Sequence, residues 1–340
     1  MESKMNYMIR VFREASFSKL SRILNEAHRR SGKSKAYLFM DMVNCTLRYG
    51  TGYHDYIVFE FWNIKHDKRD TYLTRMRSKK FVLQMNDRNY AHIFDNKNEF
   101  DEVFKDFLKR DYVDALNAPK EEFIEYYNTH ERTFAKMLDL TCGHGAEIIN
   151  MSDFATGEDF YNYVKEKGFA VLEDVLENHP DIKAVYPCAL NTMRMITLIG
   201  DDGKPRLLFA AHKFGNEGRF VDVYGLHGPV DLETGTIKFP FHSGDTTSDI
   251  LYTKHPYTGH QIVGFKVPFF KEAKEMILEA AMRVPQMRYI GWDVAITPNG
   301  PVIIEGNDYT AYDYWQLPSQ NPDKIGILPT LKEIVPSFKY

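Results

Sequence analysis

Asp293, Glu305 and Asn307 are three oxygen donors brought close together by the segment "YIGWDVAITPNGPVIIEGND". Residues 289–296 are apolar and β-favouring, residues 297–301 contain Pro298, Asn299 and Gly300, and residues 302–305 resume the apolar pattern. That order predicts strand, turn, strand. With pairing centred on Asn299, Asp293 lies opposite Glu305, and Asn307 follows on the same face because side chains alternate with a period of two. Opposed carboxylates repel unless a cation lies between them, and hard oxygen ligands of this kind suit Mg²⁺, with Mn²⁺ as a second candidate. The alternative for the same residues is an ordinary hairpin with a solvated acidic edge.

Gly143, His144 and Gly145 sit between two expected strands, residues 133–137 and 146–149. Backbone N–H groups in such a loop can point at a phosphate with no side chain blocking the approach, although a tight structural turn reads alike. Lys136, in an otherwise apolar strand, is costly to bury unless it meets an anion such as a triphosphate. An edge lysine reaching solvent is the alternative. In "FAVLEDVL", residues 169–176, an apolar strand ends in paired acids. That form suits a hinge whose backbone edge holds adenine while a nearby carboxylate reaches a ribose hydroxyl, and many helix starts share it.

These groups need a large frame, and the chain supplies one. Its 340 residues, 44% of them hydrophobic, can bury a core spread over two or three lobes. A net charge of −4 without a basic block gives no footprint for nucleic acid. Arg29-Arg30 and Lys79-Lys80 read as solvated helix faces. No apolar run of about 18 residues and no charged-then-apolar leader is present, so neither a membrane span nor a secretory signal is expected and the reading is a cytoplasmic protein. Cys45, Cys142 and Cys188 are odd in number and lack CxxC spacing, which argues against a disulfide framework and a structural zinc site. Cys142, beside the glycine loop, reads as a packing residue because nothing local marks an activating base.

Residues 6–48 show helical spacing at Ile9, Phe12, Phe17, Leu20 and Ile23, with a break at residues 31–34 around Gly32. "YHDYIVFEFWNI" is expected to be a strand or a buried connector. Asn96 is expected to cap a helix with Phe100, Val103, Phe104 and Phe107 on one face. A helix over residues 157–167 and a strand over 169–173 complete an α+β unit. Asp201-Asp202-Gly203 joins "NTMRMITLIG" to "PRLLFAAHKF" as a hairpin, and a helix runs from 268 to about 284.

Taken in order, Lys97, Lys136, the glycine loop, "VLED", Arg194 and the Asp293, Glu305, Asn307 set resemble the ATP-grasp superfamily. More closely, "NTMRMITL", "VDLETGTI", "HPYTGHQIVGFKVP" and "IGWDVAITPNGPVIIEGND" resemble the sugar-transfer associated ATP-grasp family, over at least residues 95–329. The resemblance implies an α+β ATP-grasp fold, two α+β lobes holding ATP between them, behind a mainly helical N-terminal region. The implied divisions are 1–94 for that region, 95–175 for the lid with its glycine-rich loop, and 176–340 for the lobe carrying the metal hairpin. It also implies that Lys97 and Lys136 contact ATP phosphates and that Gly143, His144, Gly145 and Ala146 close over them. Glu173, with neighbouring Asp174 and backbone, would hold adenine, and Glu177 or Asp181 would take the ribose. Asp293, Glu305 and Asn307 would hold one or two Mg²⁺ ions, and Arg194 would neutralise the γ-phosphate or a substrate carboxylate.

The chemistry these parts suit is an ADP-forming ligation. A substrate carboxylate is activated as an acyl phosphate and joined to an amine or sugar-linked acceptor, in polysaccharide or sugar-conjugate biosynthesis. A small-molecule kinase uses the same site with a hydroxyl as acceptor, and a non-catalytic nucleotide-binding protein is a third reading. His255, Tyr257 and His260 are candidates for facing a polar substrate, or for an ordinary surface loop. Tyr309, Tyr312, Tyr314 and Trp315 suit stacking on a sugar, or sealing a core.

Overall fold

The computed structural model describes residues 17–137, 145–219, 222, 225–245 and 247–339. The early apolar positions Ile9 and Phe12 lie outside these residues. Helices α1 (Phe17–Ser31) and α2 (Lys35–Tyr49) are separated by a turn in which Gly32 takes φ 68°. Ser34 caps α2, its hydroxyl accepting from Tyr37 N–H. Arg30 is not a solvated charge: its guanidinium is largely buried, donates to Thr247 O and pairs with Glu26, whereas Arg29 is exposed.

The aromatic stretch after α2 forms helix α3 (Tyr53–Val58) and a 3₁₀ turn (Phe61–Asn63), not a strand. Tyr56, Phe59, Phe61 and Trp62 are all buried in the N-terminal core. Apolar on nearly every side, the segment carries no periodicity that separates strand from buried helix. Helix α4 (Arg75–Met85) leads to α5 (Lys97–Leu108), where the Asn96 side chain accepts from Asn98 and Glu99 N–H as expected of a cap.

Next come β1 (Tyr112–Asp114), α6 (Lys120–Thr129), β2 (Arg132–Lys136), β3 (Ala146–Asn150), α7 (Gly157–Lys167) and β4 (Val171–Asp174). Among the described residues these strands form an antiparallel four-stranded sheet in the order β1-β4-β2-β3. Thr156 and Asp159 make a capping box for α7. The core beneath this sheet contains Phe123, Ala135, Phe160 and Leu172.

The larger sheet is built from β5 (Thr192–Ile199), β6 (Pro205–Phe214), β7 (Leu226–Pro229), β8 (Phe241–Ser243), β9 (Leu251–Tyr252), β10 (Tyr289–Thr297) and β11 (Gly300–Asn307). Helix α8 (Pro180–Val185) precedes it, α9 (Phe270–Ala280) interrupts it and α10 (Leu328–Ile334) follows it. Among the described residues its order is β11-β10-β5-β6-β7-β8-β9, with antiparallel neighbours. The β5–β6 connection is the expected hairpin, with Gly203 at φ 74°.

One face of this sheet presents Met193, Met195, Trp292 and Val294 to a core shared with Phe100 and Phe104 of α5 and Ile277 of α9. The alternate residues point the other way. On that second face Ile196, Leu198 and Tyr289 pack with Phe81 and Leu331 at one end. Arg194 and Asp293, on the same strands, fall at the other end, so the polar centre continues a hydrophobic face. Among the described residues no helix is long and apolar enough to cross a membrane.

Candidate functional site

The expected pairing at the metal-ligand end of the hairpin is observed, but the register is not centred on Asn299 throughout: next to the turn Thr297 pairs with Gly300, and a β-bulge at Ile304 then shifts the ladder by one. Asp293 is the cross-strand partner of Glu305, and Asn307 faces Gly291. Asn307 Nδ2 donates to Glu305 Oε1 at 3.2 Å. Across the other edge of β10, Asp293 pairs with Arg194 of β5. The guanidinium forks onto the carboxylate, Nε to Oδ1 at 2.7 Å and Nη2 to Oδ2 at 2.9 Å, and Nη1 reaches Thr310 Oγ1 at 3.3 Å. A Cβ at Gly291 would lie 2.1 Å from Thr310 Oγ1, so only glycine lets the segment after β11 close over this point.

Lys213 of β6, which sequence reading overlooked, sits with its Nζ 3.2 Å from Asp293 Oδ1. Two carboxylates therefore meet two cations, but both cations lie on the side of Asp293 away from Glu305, so among the described residues no protein charge stands between the opposed acids. Burial alone would raise the Asp293 pKa, but Arg194 and Lys213 outweigh it and hold the carboxyl well below the usual carboxylate range. Glu305 goes the other way: crowding by protein and then the Asp293 charge push it up, although its side chain still reaches solvent. Burial opposes charge on Lys213, yet Asp293 and Asp222 raise its pKa. The same strand logic that singled out Lys136 applies to Lys213 in "LLFAAHKF", and would have found it.

The donor set fits a hard divalent cation. Glu305 is accessible and electrostatically strained, Asn307 offers an amide oxygen beside it, and Asp293 Oδ2, which meets Arg194 alone of the two cations, keeps a lone pair, whereas Oδ1 is already met by both Arg194 and Lys213.

A second group of charges lies on the smaller sheet. Lys97, at the start of α5, donates to Met137 O at 3.1 Å, and Lys136 pairs in register with Ala146, so both lysines stand at the ends of the strands that flank the glycine loop. Gly145, at φ 68°, accepts from Met137 N–H at 3.3 Å. Gly143, His144 and Cys142 lie outside the described residues.

Lys136 does meet an anion, but it is Glu173, whose other carboxylate oxygen lies 2.8 Å from Arg110 Nε. Burial disfavours charge on Glu173, and Lys136 with Arg110 more than compensates, keeping it ionised. Its carboxylate is thus committed inside the protein. Nor does "VLED" offer an open backbone edge: Glu173 is flanked by Phe134 on β2 and Tyr112 on β1. A free backbone edge begins only beyond Asp174, where the chain leaves the sheet. Asp174 itself lies on the surface, its Oδ1 3.2 Å from His130 Nε2. Glu177 is exposed and pairs with Arg132, and Asp181 is exposed at the start of α8 beside His179.

Arg110 is the second residue that sequence reading missed, and no local pattern in "FLKRDY" marks it. Its side chain is buried and donates through Nη1 to Ile303 O at 2.6 Å, two residues before Glu305. It ties the charge group on the smaller sheet to the hairpin strand of the larger one. His255 is corrected as a substrate-facing candidate: it is fully buried, lies 2.8 Å from Gly215 O through Nε2 and stacks on Tyr186. Tyr312 and Trp315 contact protein, through Asp55 and Phe209, and Tyr314 packs against His227.

Asp101 of α5 completes the second group, 3.9 Å from Arg110 Nη2. Burial and the Glu173 charge push its carboxyl up to about 7. The folded pKa is above the ordinary 3.8, so the folded state holds this proton more tightly. That stabilisation is complete below the ordinary value and is lost as pH rises through about 7. The melting temperature is therefore expected to fall from about pH 5 to about pH 8, with the slope reduced in Asp101→Asn. An unchanged slope in that variant would assign the pH dependence elsewhere.

The description "sugar-transfer associated ATP-grasp" belongs to a family model that matches residues 144–334, more than half of the chain. The chain belongs to this family. No curated protein matches it. Solved structures similar to it include the D-alanine-D-alanine ligase from Coxiella burnetii, with 14% identity, 72% of this chain and 58% of that one covered, and a TM-score of 0.40. Another is the N5-carboxyaminoimidazole synthetase from Staphylococcus aureus complexed with ADP, with 9% identity, 67% and 48% coverage, and a TM-score of 0.43. A third is the D-alanyl-alanine synthetase A from Vibrio cholerae, with 14% identity, 72% and 60% coverage, and a TM-score of 0.38. The chain spans about half to three-fifths of the length of these structures.

Proposed function

We propose that this ATP-grasp protein is an ADP-forming ligase that activates a carboxylate and joins it to an amine. The observation that carries the reading is the pairing of Asp293 with Glu305 beside Arg194 and Lys213, a charge-balanced centre on the hairpin where hard-cation ligands and anion-binding groups coincide. In the first step a substrate carboxylate oxygen attacks the γ-phosphorus of ATP, the bond to the bridging oxygen breaks, and ADP leaves with an acyl phosphate formed. In the second, an amine attacks the acyl carbon, inorganic phosphate departs and the amine loses a proton.

Each residue group has a task in this scheme. Lys97 and Lys136, at the mouth of the glycine loop, balance phosphate charge. When nucleotide binds, Lys136 exchanges part of its pairing with Glu173 for phosphate, while Arg110 keeps Glu173 satisfied. Arg194, whose fork is already engaged, acts by fixing Asp293. Lys213, with three donors on its ammonium, is the better placed of the two to meet charge developing on the transferring group. A Mg²⁺ or Mn²⁺ ion on Asp293, Glu305 and Asn307 would neutralise the β- and γ-phosphates and polarise the phosphorus. Adenine lies against the backbone beyond Asp174, with Glu177 or Asp181 toward the ribose. Residues 1–94, 95–175 and 176–340 then serve as N-terminal cover, lid and catalytic lobe, in a cytoplasmic enzyme of polysaccharide or sugar-conjugate assembly.

The test is hydroxylamine trapping. With ATP, Mg²⁺ and a metabolite pool, mass spectrometry identifies the acid consumed with ADP release. With that acid and hydroxylamine in place of the acceptor, a hydroxamate is expected in proportion to ADP. A stable phosphorylated alcohol formed without hydroxamate would replace the ligase by a kinase, and nucleotide binding without turnover of any compound would leave a binding protein.

A further inference from the structure

Glu305 reaches the metal centre only because the hairpin ladder is broken. Counting from the turn, Thr297 pairs with Gly300 and Val294 with Ile303, so an unbroken ladder would set Asp293 against Ile304 and Glu305 against Trp292. The Trp292 side chain lies on the apolar face, against the rings of Phe94 and Phe104. Gly306, which does pair with Trp292, has room for no side chain: a Cβ there would lie 2.8 Å from the Phe94 ring. A carboxylate at that place would be buried among aromatic rings. Ile304 is instead an extra residue on β11, and the bulge it makes turns Glu305 to the face of Asp293.

Arg110 meets this break. Among the described residues β11 is the edge strand of the larger sheet, so carbonyls on its outer side have no strand to pair with and need another donor. Arg110, between α5 and β1, supplies two: Nη1 donates to Ile303 O at 2.6 Å and Nη2 makes a longer contact with Ile304 O at 3.5 Å. These are the carbonyls of the bulge itself. The other side of the guanidinium is held by the smaller sheet, with Nε 2.8 Å from Glu173, whose second oxygen meets Lys136. The Arg110 side chain is fully buried. A planar fork can span a carboxylate and two carbonyls at once, whereas the single nitrogen of a lysine cannot.

We infer that Arg110 is a positioning residue for the metal ligands: its guanidinium, anchored by Glu173 on the smaller sheet, holds the bulge at Ile304 and so keeps Glu305 opposite Asp293. The inference rests on the reading of the hairpin as a metal site. Arg110 touches neither metal nor nucleotide in this scheme, and acts through the backbone of β11.

Deletion of Ile304 provides the test, because without the extra residue Glu305 follows Ile303 directly and stands opposite Asp293 by alternation alone. Arg110 is then no longer needed to place it. Binding of Mn²⁺ alone is followed by electron paramagnetic resonance of the free ion, and amide hydrogen exchange over residues 303–307 by mass spectrometry. Both are measured on the full chain, on Arg110→Lys, on the Ile304 deletion, on the two combined and on Glu173→Gln. Arg110→Lys is expected to weaken Mn²⁺ binding about tenfold and to speed exchange over the bulge. In the deletion background the same substitution is expected to change Mn²⁺ affinity by less than about twofold, whatever it does to the melting temperature. Glu173→Gln leaves Arg110 in place without its anchor, and is expected to speed exchange there and weaken Mn²⁺ about threefold, which decides the matter should Arg110→Lys not fold. Equal losses of Mn²⁺ affinity from Arg110→Lys in both backgrounds would overturn the inference and leave Arg110 a general stabilising residue. Unchanged exchange over residues 303–307 in Glu173→Gln would overturn it as well. Faster exchange in Arg110→Lys, with Mn²⁺ binding indifferent to Glu305→Gln, would instead remove the metal reading and leave Arg110 as the support of the bulge.

Discussion

Glu305→Gln is expected to leave the melting temperature at or above that of the unaltered protein while lowering Mg-ATP-dependent turnover about 100-fold or more. The two effects have separate causes. Ionised Glu305 sits opposite the Asp293 charge, and its raised pKa means that at neutral pH the folded state is disfavoured by carrying that charge. Glutamine keeps the shape and the contact with Asn307 but removes the repulsion. Turnover suffers because a neutral amide is a poor ligand for a hard cation, and a Lewis-acid metal supplies several kcal/mol, each about 1.4 kcal/mol being tenfold. Calorimetric melting and ADP release measured on the same sample check both. Full turnover in a stable Glu305→Gln protein would remove the metal assignment from this hairpin.

Asp293→Ala is expected to do the opposite to stability. Removing this carboxylate leaves Arg194 and Lys213 together in a site from which water is largely excluded, each having lost its nearest counter-charge. Breaking a buried pair from one side costs about 3–5 kcal/mol, which lowers the melting temperature by several degrees in a chain of this size. Turnover falls as well, so activity alone cannot separate a lost ligand from a damaged frame. The comparison with Glu305→Gln does so, since one variant loses activity with its stability intact and the other loses both. A melting temperature for Asp293→Ala within about 2 °C of the unaltered protein would show that the two cations have other partners when Asp293 is absent.

The hairpin was legible in the chain because its strands and turn are specified locally. Alternation marks the two strands and Pro298, Asn299 and Gly300 mark the turn, while a β-bulge at Ile304 shifts the register by one and sets Asp293 against Glu305 with Asn307 following. The same holds for the Asn96 cap, the 157–167 helix and the Asp201-Asp202-Gly203 hairpin. The aromatic stretch around Tyr56 was not legible, since a segment apolar in every direction has no period to read.

What only the tertiary structure decided is which charges face one another. Lys136 advertised a need for an anion, but that Glu173 meets it, with Arg110 sharing the load, depends on β4 lying between β1 and β2. Arg194 offered a planar fork, and strand order determined that Asp293 receives it. Lys213, His227 and His242 belong to one row only because β6, β7 and β8 lie side by side in one register. Period and turn chemistry act over a few residues and are written in the sequence. Pairing between strands many residues apart is set by the packing of the whole sheet, and with it the charge environment of every group in the site.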